Sequence, residues 1–131
     1  MWETEARITD AELEVMEVLW QGEDLTLAQV KEAVSARKGW SGDTVKTLLR
    51  RLLEKGAVVQ EKRGVYHYRP LVSREALGDY KTSALIDKLY AGSAKDLVAA
   101  LVERRQLDRE DVAELRDLFD RLWEEKRGEE T

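Results

Sequence analysis

The sequence predicts a mainly α-helical protein that carries one small antiparallel β-hairpin. Two observations lead to this fold class. The first is that apolar residues recur with the spacing of an α-helix on both sides of residues 57–70. The second is that within residues 57–70 the pattern changes to that of extended strands. The length of 131 residues and the hydrophobic fraction of 43% suit one domain, or a small domain with an appendage.

The first two helices begin with the same capping device. Thr9 and Glu12 stand at the spacing of a capping box, which starts a helix before a run of apolar residues. Thr26 and Gln29 repeat the box and start a second helix, which ends near Gly39. The sequence therefore predicts two short helices joined by a short turn.

The third helix, over residues 42–55, has one apolar face and one polar face. Ser41 is its N-cap, and Gly56 supplies the left-handed position that closes a helix. The apolar positions have the spacing i, i+3, i+4 and i+7 and are Val45, Leu48, Leu49 and Leu52. The opposite and flanking positions are Asp43, Lys46, Thr47, Arg50, Arg51 and Glu54. Small polar groups early and cations later suit the major groove of DNA, although an ordinary surface helix has the same pattern.

A hairpin follows the third helix. Two runs rich in β-branched and aromatic residues, 58–62 and 65–69, are separated by Arg63-Gly64, which predicts a tight turn with cations at its tip. Pro70 ends the second strand, and we expect that strand not to be central in a sheet, because proline lacks the backbone donor. Three helices followed by a hairpin form a winged helix-turn-helix. A hairpin that only covers the edge of the core is the alternative.

Residues 73–131 predict three more helices with wide apolar bands. About sixty residues in three such helices bury little surface by themselves. We expect a second copy of the chain to cover the bands, with docking onto the chain's own first domain as the alternative. The candidate dimerisation residues are Leu85, Leu89, Leu97, Leu101, Val112, Leu115, Phe119 and Leu122. The chain is then divided into a winged-helix DNA-binding domain over residues 1–72 and a helical dimerisation domain over residues 73–131. We expect the last residues, 124–131, to be frayed.

The distribution of charge favours DNA as the partner. The chain has a net charge of −5, yet residues 31–71 hold ten Lys and Arg against four Asp and Glu, a net charge of +6. A local basic surface is what phosphate binding requires. The candidate DNA-binding residues are Ser41, Asp43, Thr44, Lys46, Thr47, Arg50, Arg51, Lys62, Arg63 and Tyr66. A winged helix used only for contacts with other proteins is the competing function.

The composition argues against several other classes of protein. Without cysteine the chain forms no disulfide, iron–sulfur cluster or thiolate zinc site. The single histidine, His67, has no metal-ligand spacing, and no phosphate-binding loop or nucleophile elbow occurs, so we expect no enzyme, metal or cofactor. The longest apolar run, residues 97–102, is too short to span a bilayer, and no signal region stands at the N-terminus. We expect a cytoplasmic protein, associated with the nucleoid and not with a membrane.

The sequence resembles the penicillinase and methicillin-resistance repressor family (BlaI/MecI/CopY type). The resemblance extends from Ile8 to about Trp123. The matching positions are residues 8–16, Trp40-Ser41, Thr44-Val45, Thr47, residues 52–57, residues 68–70 and residues 90–92.

The resemblance implies a homodimeric repressor that binds an inverted-repeat operator in double-stranded DNA. It also implies a sensor protease as partner, which cuts the C-terminal region and so releases the DNA. The best-known members are cut at an Asn–Phe bond, and the corresponding place here is Ala100-Leu101. Copper-responsive members carry paired cysteines that this chain lacks. Asp43 also departs from the family, whose members often have a basic or neutral residue there; it could accept from a cytosine amino group.

Overall fold

The computed structural model describes residues 3–130, with side chains over residues 3–129. The helices are α1 (Glu3–Ala6), α2 (Asp10–Gln21), α3 (Leu27–Lys38), α4 (Gly42–Glu54), α5 (Arg74–Leu89), α6 (Ala94–Glu103) and α7 (Arg109–Glu130). The strands are β1 (Leu25–Thr26), β2 (Val58–Arg63) and β3 (Val65–Pro70). A mainly helical chain with a small antiparallel sheet confirms the predicted fold class.

The chain divides into two compact units, Met1–Ala84 and Leu85–Thr131. The boundary lies within α5, so most of this helix belongs to the first unit. The functional division at residues 72 and 73 stays a prediction.

Both predicted capping boxes form. The Thr9 hydroxyl accepts from the Glu12 N–H at 3.2 Å, and the Glu12 carboxylate accepts from the Thr9 N–H at 2.8 Å. The Thr26 hydroxyl and the Gln29 side chain make the same two bonds, at 3.2 and 2.9 Å. Each box satisfies backbone donors that the first turn of a helix cannot satisfy itself, and so fixes where α2 and α3 begin.

The core of the first unit lies between α2, α3, α4 and the sheet. All four apolar residues of α4 that the spacing predicts are buried. The α2 residues Val15, Met16 and Leu19 and the α3 residues Val30 and Val34 are buried with them. Burial of one complete face leaves α4 a single face that points outward.

The sheet has three strands, in the order β1-β3-β2, and is antiparallel throughout. The β2–β3 hairpin is the predicted one, with Gly64 at its tip in the left-handed region at a φ of 76°. The strand β1 was not predicted. Its two residues pair with Tyr68 and His67 of β3 directly before α3 begins.

The expectation that the second strand of the hairpin is not central was wrong. β3 is the central strand, because β1 pairs with it on the side away from β2. Pro70 is nevertheless tolerated, since β1 reaches only Tyr68 and His67, and Pro70 is paired on one side alone, with Val58. A proline at such a position interrupts no second ladder.

An ion pair between a buried carboxylate and a partly buried ammonium joins the start of α2 to the end of α4. The Glu12 carboxylate, with a side chain 1% exposed, accepts from Lys55 Nζ at 2.5 and 2.7 Å. Lys55, the C-cap residue of α4, also donates to the carbonyl oxygen of Arg7 at 2.7 Å. Burial alone raises the pKa of Glu12, but the hydrogen bonds from Lys55 and Thr9 outweigh it and hold that pKa below its ordinary value.

The second unit contains α6, α7 and the end of α5. Ser93 caps α6 by accepting from the Asp96 N–H at 3.2 Å, and Asp108 precedes α7 and accepts from the Asp111 N–H at 2.8 Å. No described side chain of α6 or α7 is buried. The expected fraying of residues 124–131 was wrong as far as Glu130, because α7 continues to that residue; Thr131 lies outside the described residues. Glu, Lys and Arg are strong helix formers, which favours the longer helix.

We expect Glu12→Gln to lower the free energy of unfolding by about 3 kcal/mol at neutral pH, because it removes the counter-charge of Lys55 at a buried site. The pKa of Glu12 in the folded protein lies below its ordinary value of 4.5. The part of the loss that depends on the charge of Glu12 is therefore present above that value and is lost as the pH falls through the folded pKa. Urea unfolding of both proteins between pH 7 and pH 3 measures this difference.

Glu14→Gln is the matched control. Glu14 belongs to the same helix and also forms an ion pair, with Arg37 at 3.0 Å, but both side chains are partly exposed. Exposed pairs contribute little, so we expect a loss of less than about 1 kcal/mol. Similar losses in the two variants would contradict a special role of the buried pair.

Candidate nucleic-acid interface

The outward face of α4 begins at a well-defined cap. The Ser41 hydroxyl accepts from the Thr44 N–H at 3.2 Å and lies 3.0 Å from the Thr44 hydroxyl. Gly42, the first residue of the helix, lies so close to α3 that a Cβ there would be 3.3 Å from Lys31 Cδ. The start of α4 is therefore fixed by its own cap and lies beside the Lys31 side chain of α3.

The structure exposes nine of the ten candidate DNA-binding residues, and Thr47 is half-buried. Four of the ten line a groove of about 490 Å³ between α4 and the sheet. The residues that line this groove are Asp43, Lys46, Thr47, Arg50, Leu53, Gln60 and Tyr68. Ser41, Thr44 and Arg51 lie on α4 or at its start but do not line it.

The cations of α4 are available to solvent. Arg50 Nε lies 3.9 Å from Glu54 Oε1, and both side chains are about two-thirds exposed, at 67% and 68%. Such a pair is screened by water and is weak. Among the residues that the structure describes, Lys46 and Arg51 have no acidic partner within ion-pair distance. These cations can therefore bind an anion at little cost.

Sequence reasoning missed Gln60. Its amide donates to the Tyr68 hydroxyl at 2.9 Å, which fixes the side chain at the wall of the groove opposite α4. The alternation of β2 could have indicated that Gln60 points outward, but nothing local indicates that β2 lies beside α4.

The wing, which we define as β2 and β3 with Gly64 at the tip, forms a second groove with the start of α3. This groove has a volume of about 470 Å³ and is lined by Thr26, Leu27, Ala28, Lys31, Lys62, Gly64, Val65 and Tyr66. Lys62 Nζ lies 5.7 Å from the centre of the Tyr66 ring. Lys31 was also missed by sequence reasoning, because only the fold places it beside Lys62.

Arg63 differs from the other candidate cations, because it is paired. Its guanidinium donates to Asp24 Oδ2, and its Nε lies 3.8 Å from Glu61 Oε1. The hydrogen bond from Arg63 holds the pKa of the Asp24 carboxyl below its ordinary value. His67 Nδ1 is buried without a hydrogen bond, 3.7 Å from Asp24 Oδ1.

The candidate dimerisation residues lie on α5, α6 and α7. Leu85, Leu89, Phe119 and Leu122 are exposed. The half-buried candidates are Leu97, Leu101, Val112 and Leu115. Within the second unit an apolar groove of about 230 Å³ is lined by Val98, Val102, Leu107, Val112, Leu115, Arg116, Phe119 and Asp120.

The described part of the chain holds no group of three or more His, Cys, Asp or Glu side chains that could bind a metal ion. None of its helices is both long enough and apolar enough to cross a lipid bilayer.

Comparison with known proteins gives consistent matches over most of the chain. A family model described as penicillinase repressor matches residues 8–121. A penicillinase repressor from Bacillus licheniformis is 32% identical over 115 residues, which cover 87% of this chain and 90% of the relative. The methicillin resistance regulatory protein MecI from Staphylococcus aureus (strain N315) is 33% identical over 116 residues, covering 87% of this chain and 94% of the relative.

A solved structure matches about half of the chain. The solution structure of the DNA-binding domain of the repressor BlaI is 38% identical and has a TM-score of 0.50. The match covers 53% of this chain and 87% of that chain.

Proposed function

Because the chain belongs to the penicillinase repressor family, we propose that it is a homodimeric transcriptional repressor that binds an inverted-repeat operator through α4 and the wing. Membership confirms the family resemblance and, since the family consists of repressors, the expectation that the chain is not an enzyme. A repressor of this kind acts in the cytoplasm, at the nucleoid, where the operator lies.

The outward face of α4 carries the proposal. Because Val45, Leu48, Leu49 and Leu52 are all buried, the opposite face is held outward on a rigid support. The similarity to a solved repressor DNA-binding domain supports a role for this face in binding DNA. A single α-helix fits the major groove of B-DNA, and its N-terminal residues there reach base edges.

The residues of α4 and the wing have different roles in this proposal. Thr44 and Thr47 contact bases, and a threonine methyl against a thymine methyl is a suitable pairing. Arg50 lines the groove beside Thr47 and can reach a base or a phosphate. The cations Lys46 and Arg51 of α4 and Lys62 of the wing contact phosphates, which position the protein without reading sequence.

The apolar surface of the second unit supports a second copy of the chain as partner. Since no described side chain of α6 or α7 is buried, these helices have not formed a core of their own. Phe119, Leu122 and Trp123 are 55%, 52% and 63% exposed on one side of α7. Large apolar side chains that are exposed side by side are typical of an interface. A two-fold dimer then presents two copies of α4 to two half-sites.

Release of the operator through a sensor protease also belongs to the proposal. The place that corresponds to the Asn–Phe bond of well-known members is Ala100-Leu101, within α6. A protease that cuts there has to recognise a different pair of residues and to unwind part of α6 first.

The competing function, a winged helix that binds only proteins, is less well supported. It requires the basic residues to be neutralised by neighbours. Among the described residues, Arg37, Arg50, Lys55, Arg63 and Arg69 have an acidic partner within ion-pair distance. Lys46, Arg51 and Lys62, which lie on α4 and the wing, have none in the described part of the chain.

Selection of bound duplexes from random DNA tests the proposal as a whole. We expect enrichment of an inverted repeat whose half-sites are separated by about one helical turn, or a multiple of it, since two copies of α4 bind on one side of the duplex. Failure of the protein to retain any duplex at low salt would exclude the proposed function.

We expect Arg50→Ala and Lys62→Ala to weaken DNA binding in different ways. Arg50→Ala costs about 1–3 kcal/mol on the selected duplex and relaxes the sequence preference if Arg50 contacts a base. Lys62→Ala weakens binding to every duplex similarly. It also makes the slope of log affinity against log salt concentration shallower, by the amount that corresponds to about one phosphate contact. Fluorescence anisotropy on selected and scrambled duplexes at several salt concentrations measures both. An equal loss of sequence preference in the two variants is the result that contradicts these roles.

We expect Leu122→Glu to produce monomers that bind the operator weakly, because the charge enters the apolar side of α7. Leu122 is exposed in the single chain, so this change spares the fold of the unit, which a change at the half-buried Leu115 would disturb. Ala113→Glu is the matched control, since Ala113 is exposed and lies almost opposite the apolar side of α7. Sedimentation measures the mass of each variant. A dimeric mass for Leu122→Glu would contradict this interface.

A further inference from the structure

We propose that Asp24 acts as an internal substitute for a DNA phosphate: its carboxylate holds Arg63 at the tip of the wing and withholds that cation from DNA. The proposal rests on the DNA-binding function proposed above. It adds a residue outside the candidate interface that limits how tightly the wing binds DNA of any sequence.

The two residues are 39 positions apart in the sequence of the first unit. Asp24 lies in the turn between α2 and β1, and Arg63 is the last residue of β2. The guanidinium of Arg63 donates through Nη2 to Asp24 Oδ2, while its Nε lies 3.8 Å from Glu61 Oε1. Two carboxylates therefore surround one positive charge, and the tip of the wing carries no net positive charge from Arg63.

The neighbouring Lys62 shows what an unpaired wing cation looks like. Its ammonium lies 5.7 Å from the Tyr66 ring and, among the described residues, has no acidic group within ion-pair distance. Of these two adjacent cations, Lys62 is available to bind a phosphate and Arg63 is neutralised by carboxylates.

The remaining groups of the cluster do not replace Asp24. Arg69 Nη2 lies 4.0 Å from Glu61 Oε2, so Glu61 is shared between two arginines. His67 Nδ1 lies 3.7 Å from Asp24 Oδ1, beyond hydrogen-bond distance. The hydrogen bond with Arg63 is the shortest polar contact that Asp24 makes. Loss of the Asp24 charge therefore leaves Arg63 with only the distant, shared Glu61.

The exposure of the pair explains why it limits binding without preventing it. The side chains of Arg63 and Asp24 are 46% and 35% exposed, so water screens their attraction and the pair is weak. A phosphate that takes Arg63 must nevertheless break the pair, and it then faces the unpaired Asp24 carboxylate. A duplex therefore gains less from Arg63 while Asp24 is charged than it would if Asp24 were neutral.

Asp24→Asn tests the proposal against Glu23→Gln. Both changes remove one negative charge from adjacent exposed residues, but Glu23 has no ion pair among the described residues. On a duplex of random sequence we expect Asp24→Asn to bind about two- to fivefold more tightly than Glu23→Gln, the range that corresponds to the strength of an exposed ion pair. For Asp24→Asn, the slope of log affinity against log salt concentration becomes more negative by up to about 0.9, which corresponds to one additional phosphate contact.

Arg63→Gln identifies the cation that is responsible. In the otherwise unchanged protein we expect it to alter affinity by less than about twofold. Combined with Asp24→Asn, it returns the affinity to that of the unchanged protein, which has the same net charge. The proposal is overturned if Asp24→Asn and Glu23→Gln bind alike, or if Arg63→Gln weakens the unchanged protein as much as Lys62→Ala does.

Elution from immobilised heparin separates this proposal from the proposed function, because heparin is a polyanion without base sequence. We expect Asp24→Asn to elute at higher salt than Glu23→Gln, and we expect the additional Arg63→Gln to return elution to the salt concentration of the unchanged protein. If this order holds but no duplex is bound, the proposed function fails and the role of Asp24 toward polyanions stands. If the protein selects an operator while Asp24→Asn and Glu23→Gln elute together, the role of Asp24 alone fails.

Discussion

The pair between the buried Glu12 carboxylate and Lys55 fixes the end of α4 against the start of α2. The Glu12 carboxylate closes the capping box at the start of α2 and also binds the ammonium of the residue that ends α4. A buried carboxylate is unfavourable unless its oxygens are well bonded, so any movement of either helix end that breaks these bonds is costly. The apolar core holds the helices together, and this pair fixes where the end of α4 lies against α2.

The outward face of α4 is a consequence of the face that is buried. Four apolar residues at helical spacing leave only one side of a helix of 13 residues free. That side begins at the Ser41 cap and ends at Lys55, and both ends are fixed by hydrogen bonds. A rigid helix loses little conformational freedom when it enters a groove, which favours binding. The same residues thus explain the stability of the first unit and the geometry of the candidate interface.

The sequence predicted the features that depend on neighbouring residues. Capping boxes, the apolar side of α4 and the β-hairpin are all determined within a few positions of the chain. The features it missed depend on residues far apart. β1 is two residues long and exists only because β3 lies beside it, and Gln60 and Lys31 become parts of grooves only through the fold. The Glu12–Lys55 and Asp24–Arg63 pairs connect residues 43 and 39 positions apart, and no periodicity indicates such partners.

The Asp24–Arg63 pair also shows why charge counted along a sequence overstates the charge of a surface. Residues 31–71 have a net charge of +6, and Arg63 is one of the ten cations in that count. Its partner Asp24 belongs to the acidic first thirty residues, which the fold brings to the wing through the turn before β1. Coulomb attraction falls with distance and is screened over about 8 Å at physiological salt, so a direct contact of this kind outweighs the average charge of the segment. The positive surface available to a phosphate therefore includes Lys31, Lys46, Arg50, Arg51 and Lys62, whereas the acidic N-terminal segment neutralises Arg63.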